Sequence, residues 1–120
     1  MKTEGSSYAS DFVPSEEEGF PREIIWYYYG IYSFSDEFTR RYMALYDRTD
    51  LRHLVVFIDD SKPLPHPLLD GDGQLKMYLG ESAFSQVVDM CRNEKPIFLH
   101  LLGDYAYIST SKEAIGEGEA

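Results

Sequence analysis

Apolar and polar positions along the chain change period several times, and each change marks an element. From Ile24 to Tyr32 nearly every residue is aliphatic or aromatic, and since a strand sends alternate side chains to opposite faces, a strand here is apolar on both. Ile25, Tyr27, Tyr29 and Ile31 form one face; Trp26, Tyr28 and Tyr32 form the other, with Gly30 as a gap. The strand is expected over about residues 23 to 33, entered at Pro21. The isoleucine face is assigned to helices and the Trp26 face is left without cover.

Ser33 or Ser35 then offers an N-cap, with Asp36 and Glu37 well placed in a first helical turn. Phe38, Tyr42, Leu45 and Tyr46 recur at helical spacing, which predicts a helix ending near Arg48. Leu51 to Asp60 reads as a buried, β-branched strand closed by charge. Pro63, Pro65 and Pro67 cannot donate ladder hydrogen bonds, so that stretch is a loop or a sheet edge.

Asp70-Gly71-Asp72-Gly73 is a turn signal, and Gln74 to Leu79 alternates as a half-exposed strand. Phe84, Val87, Val88 and Cys91 fall at i, i+3, i+4 and i+7 of a helix running to about Glu94. Lys95-Pro96 ends it. Ile97 to Leu102 and Tyr105 to Thr110 flank Gly103-Asp104, a two-residue hairpin turn.

The predicted order is β-α-β-β-α-β-β, an α+β chain. Its first six elements fit a ferredoxin-like antiparallel sheet with two helices on one face, extended by a fifth strand. The alternative is a three-layer α/β arrangement, whose helices would cover both apolar sheet faces.

The length of 120 residues suits a single domain. Charge changes the picture at the ends. Within a formal net charge of -10, residues 1–20 carry one Lys against five acidic groups and the last ten one Lys against three Glu. Residues 1–20 and 112–120 therefore read as acidic flexible segments around a folded unit at 21–111. The acidic balance and the lack of a Lys/Arg stripe argue against nucleic-acid or anionic-membrane partners. No window approaches a membrane span and no secretory leader is evident, so a cytoplasmic location is the expectation. Cys91 is the single cysteine, which excludes an intrachain disulfide and a cysteine-built zinc site.

Candidate chemistry is sparse. Asp59-Asp60 closes a strand, where phosphoryl-transfer and magnesium sites place carboxylates, but no phosphate loop accompanies it. Asp70, Asp72, Gln74 and Glu81 sit at positions 1, 3, 5 and 12 of a calcium loop whose required glycine is replaced by Leu75. Gly80-Glu81-Ser82-Ala83-Phe84 lacks the second glycine of a nucleophile elbow. His53, His66 and His100 show no helical zinc spacing, and Cys91 lies on an apolar helix face. No catalytic residue, metal or cofactor is assigned.

What remains is a protein-interaction or regulatory module, a homodimer or a subunit of another assembly, that makes contact through Trp26, Tyr28 and Tyr32. The competing reading is a small-ligand-binding domain or small enzyme with a site near Asp59 and Asp60, His100 adding a polar group.

Overall fold

The computed structural model describes residues 16–32 and 39–111. One mixed sheet organises them. Its strands are β1 (Arg22–Ile31), β2 (Thr39–Asp47), β3 (Arg52–Ile58), β4 (Leu68–Leu69), β5 (Leu75–Gly80), β6 (Ile97–Leu102) and β7 (Tyr105–Thr110), in the spatial order β4-β5-β3-β2-β1-β6-β7. Only β3 and β5 are parallel; the other neighbours are antiparallel. A 3-10 turn at Glu81–Ala83 and α1 (Phe84–Asn93) carry the chain from β5 past β3, β2 and β1 to the far side of the sheet.

The ferredoxin-like expectation is overturned. Among the described residues there is one α-helix, and seven strands share one sheet. The three-layer alternative fails with it, because a single helix covers a single face. The error lies in β2. Tyr42-Met43-Ala44-Leu45-Tyr46 is a continuous apolar run, which satisfies a 3.6-residue period and a two-sided strand equally well. Pairing decides the matter: β2 hydrogen-bonds to β1 on one side and β3 on the other, and Met43, Ala44 and Leu45 are fully buried. Ladder bonds on both edges and burial of Met43 and Leu45 in the core outweigh a weak local helix preference. Ser33, Ser35, Asp36, Glu37 and Phe38 lie outside the described residues.

The remaining elements stand close to where the pattern put them. The helix begins at Phe84, β5 at Leu75, and Gly103, at φ +62°, turns the β6–β7 hairpin. The proline segment leads into β4, a two-residue edge strand paired to β5. Residues 1–15 and 112–120 of the acidic ends lie outside the described residues. Glu16 to Phe20, by contrast, are placed on the domain: the Glu17 N–H donates to the Leu101 carbonyl at 2.7 Å, and Phe20 is in the core.

The core lies between the sheet and α1. Met43, Leu45, Val55, Phe57, Leu75 and Leu99 come from the strands, and Phe84, Val87 and Val88 from the helix. The Phe84 ring meets Phe57 at 5.0 Å and Tyr29 at 5.3 Å, both edge-on, while the Arg41 guanidinium lies 4.5 Å from its centroid. A bulge between Ile24 and Trp26 resets the alternation of β1, so Ile24, Tyr27 and Tyr29 all pack toward the core.

Candidate interaction surface

The sheet face away from α1 carries the predicted residues. Cross-strand register puts Trp26 opposite Tyr46, Tyr28 opposite Ala44 and Gly30 opposite Tyr42. The Tyr28 ring lies 6.2 Å from both Tyr42 and Tyr46, and Tyr32 lies 5.4 Å from Tyr42. Ring pairs at these separations are mutually favourable and hold one another in place. A Cβ on Gly30 would meet the Tyr42 ring at 2.5 Å, so the glycine is what lets that ring lie flat across the strand.

Trp26, Tyr28 and Tyr32 are thus brought to one face, with Trp26 67% exposed. That value matters because an indole with two thirds of its surface in water is hydrophobic area left unused by the fold. Tyr42 and Tyr46 belong to the same surface and were missed by sequence reasoning, which had placed them on a helix. The strand alternation Tyr42, Ala44, Tyr46 was the available signal. Burial, and then the neighbouring Tyr28 hydroxyl, push the Tyr46 phenol above its ordinary pKa, so this ring stays neutral at pH 7. From Ile24 to Ser35 the chain carries no charge at all.

The other candidates resolve into local structure. Asp59 accepts hydrogen bonds from the Ser61 N–H and hydroxyl and an ion pair from Arg40 at 2.9 Å, which hold its carboxyl below the usual range. Asp60 accepts the Ser82 N–H at 3.0 Å. His100 belongs to another network: it bonds to Glu16 and Ser109 and stacks on Tyr107 at 4.2 Å. Its hydrogen bonds go to Glu16 and Ser109 and not to Asp59 or Asp60.

Asp70 accepts the N–H groups of Asp72 and Gln74 and closes the β4–β5 turn, with Gly73 at φ +87°. Its carboxylate does a turn's work rather than a calcium loop's. Among the described residues, no group of three or more His, Cys, Asp or Glu is arranged to hold a metal. Cys91 is half-buried, and burial pushes its thiol up to about 11, away from thiolate reactivity.

Comparison with protein-family models, curated proteins and solved structures gives no match. The surface therefore stands on its own chemistry.

The domain also carries two cavities. A cavity of about 690 Å³ opens between the proline segment and the β6–β7 hairpin, lined by Leu64, Pro65, Met77, Leu79, Tyr105 and Ala106. The His66–Asp104 contact at its mouth spans 3.5 Å between two largely exposed side chains, where ion pairs contribute little. A second cavity of about 450 Å³ lies beside β1, between Ile25, Tyr27 and the end of α1.

Also at the start of β1, Asp47 and His53 are buried polar groups. The Asp47 carboxylate accepts from the Thr49 N–H and hydroxyl, the Leu51 N–H, Arg22 and His53. His53 donates from Nε2 to Asp47 and accepts the Leu75 N–H at Nδ1, which fixes the neutral tautomer. Burial alone would raise the Asp47 pKa, but the bonds from Thr49, His53 and Leu51 outweigh it and bring the value to about 2. Burial lowers the His53 pKa, with Asp47 opposing.

Both shifts make the fold acid-labile. Below about pH 6.5 the unfolded chain takes up a proton that His53 refuses in the fold, so stability falls as pH drops from there. The Asp47 contribution is complete above its unfolded value and is lost as pH falls from 3.8 toward about 2. Urea midpoints measured from pH 8 to pH 4 should fall steadily below pH 6.5, and His53→Gln should flatten the slope between pH 5 and 7. A flat wild-type profile over that interval would refute the assignment.

Proposed function

We propose that the chain is a cytoplasmic protein-interaction module that self-associates through the aromatic surface of β1, with Trp26, Tyr28 and Tyr32 as the contact residues. One observation carries the reading: among the described residues, six of the eleven exposed large apolar side chains lie between Ile25 and Tyr32, a stretch without charge, in a chain whose formal charge is -10. A second copy supplies the same neutral aromatic surface, while the acidic remainder disfavours other approaches between copies. Aromatic side chains that are rigid before contact lose little entropy on association, which suits Trp and Tyr to central contact positions.

No helix among the described residues is long and apolar enough to cross a membrane. The lone, half-buried Cys91 accords with a reducing compartment.

Sedimentation equilibrium over a wide dilution range tests this reading directly. A reversible dimer is expected. Trp26→Ala should weaken it by about 2 kcal/mol, or roughly thirtyfold in Kd, while far-ultraviolet circular dichroism stays unchanged because Trp26 lies outside the core. A monomer at every concentration would defeat the proposal.

A further inference from the structure

We infer that two copies join edge to edge, β1 pairing antiparallel with β1 of the second copy about a twofold axis through Tyr28, so that the two sheets become one. The inference rests on the self-association proposed above and specifies its geometry.

The first observation is a free strand edge. Ladder pairing between β1 and β6 involves Arg22, Glu23 and Ile24 only. From Trp26 to Ile31, β1 pairs with β2 on one side and, among the described residues, with nothing on the other; Ile25 sits at the bulge. The Tyr32 N–H donates to the Arg40 carbonyl, toward β2. Backbone alternation then turns the N–H and C=O groups of Tyr27, Tyr29 and Ile31 outward, toward the open edge. Folded proteins protect such edges with charge, proline or a short strand. This edge has no charge and no proline across seven residues.

The second observation selects the occupant. Ile25-Trp26-Tyr27-Tyr28-Tyr29-Gly30-Ile31 reads almost the same in both directions about Tyr28. A twofold axis there pairs Tyr28 with itself, Tyr27 with Tyr29 and Ile25 with Ile31 of the other copy. The one asymmetric pair sets Trp26 against Gly30, the largest side chain against the smallest. The space over Gly30 is filled by the Tyr42 ring, and that ring offers the incoming indole a stacking surface.

The third observation is a matching knob and hole. Ile31 is 64% exposed and lies on the α1 side of β1 by alternation from Tyr29. In this register it falls opposite Ile25, where the 450 Å³ cavity opens; Ile25, Tyr27 and Cys91 form its apolar wall, and Glu23, Arg48, Arg92, Glu94 and Lys95 line the rest. Two knobs fill two holes, as an isologous interface requires. The exposed parts of Ile25, Trp26, Tyr28, Tyr29, Ile31 and Tyr32 total on the order of 700 Å² per copy; edge pairing covers the flanks of these side chains and leaves their outward ends in water, so it buries less than the ~800 Å² per partner of a standard interface.

Single-cysteine variants of the full chain in a Cys91→Ala background test the register under mild oxidation. Tyr28→Cys should cross-link to itself in high yield, since facing Cα atoms of a non-hydrogen-bonded pair lie about 4.5 Å apart, within disulfide range. Trp26→Cys alone should not, because its two copies are displaced by about 13 Å along the strands. Ile25→Cys and Ile31→Cys should cross-link when mixed and neither should when alone. Ile31→Pro removes one outward N–H without touching the β2 ladder, and should raise the dimer Kd at least tenfold with the circular dichroism preserved.

A dimer that cross-links at Tyr42→Cys or Tyr46→Cys and not at these edge positions would overturn edge pairing in favour of face packing, while leaving self-association intact. A monomer throughout would overturn both.

Discussion

Asp47→Ala should destabilise the domain by about 3–5 kcal/mol, the cost of stranding buried partners of a lost charge. The carboxylate is 2% exposed and is the acceptor for Arg22, His53, two backbone N–H groups and the Thr49 hydroxyl. Alanine removes all five bonds at once and leaves the guanidinium and the imidazole N–H without their acceptor. The carboxylate ties the β2–β3 turn to the start of β1, and His53 extends the tie to β5 through the Leu75 N–H. The loss is therefore expected to reach four strands, β1, β2, β3 and β5.

Urea denaturation at fixed protein concentration measures it, since association would otherwise add its own stabilisation. For a domain of this size the corresponding drop in Tm is roughly 15–30 °C. Asp47→Asn keeps acceptor capacity without the charge and should fall between alanine and wild type. A change below about 1 kcal/mol for alanine would mean that solvent or a rearranged turn satisfies the cluster.

The second large effect is expected at Phe84. Its ring is the meeting point of the helix and the sheet, edge-on to Phe57 and Tyr29 and covered by the Arg41 guanidinium. Phe84→Ala removes these contacts and leaves a cavity beneath the first turn of α1, which should cost about 3–5 kcal/mol. Phe84→Leu refills most of the volume and should cost clearly less.

Arg41 also pairs with Glu81 at 2.7 Å, in the 3-10 turn that precedes the helix. Losing the ring loosens the same corner from both sides. The dimer need not suffer in proportion, because Trp26 and Tyr28 lie on the other face. If Phe84→Ala kept full stability and dissociated the dimer, the division of β1 into a core face and a contact face would be wrong.

Elements whose pattern admits one interpretation were legible. Phe84, Val87, Val88 and Cys91 fit a helix and not a strand, and Gly103-Asp104 between two apolar runs fits a hairpin. Trp26, Tyr28 and Tyr32 were legible as one face because period-two alternation is fixed by backbone geometry alone. The bulge between Ile24 and Trp26 was not, since an extra residue in a strand shows only when a partner strand is there to oppose it. Tyr42 and Tyr46 were lost to the candidate surface for a related reason: a five-residue apolar run leaves the period undecided.

The buried pair of Asp47 and His53 gave no usable signal. Neither residue type implies burial, and their partners come from β1, the β2–β3 turn and β5. Cavities and free edges are likewise properties of neighbours, not of a segment.

By itself, then, the sequence determined the local periods: which stretches alternate, which repeat at helical spacing, where turns must fall, and that the stretch from Ile25 to Ile31 is uncharged and nearly palindromic about Tyr28. Only the tertiary structure decided that residues 39–47 are a strand, that seven strands share one sheet under a single helix, and that β1 stays unpaired along one edge beyond Ile24. The physical reason is that period and turn chemistry are set within a few residues. Ladder pairing and burial depend on contacts between segments far apart in the chain, whose combined free energy overrides local preference.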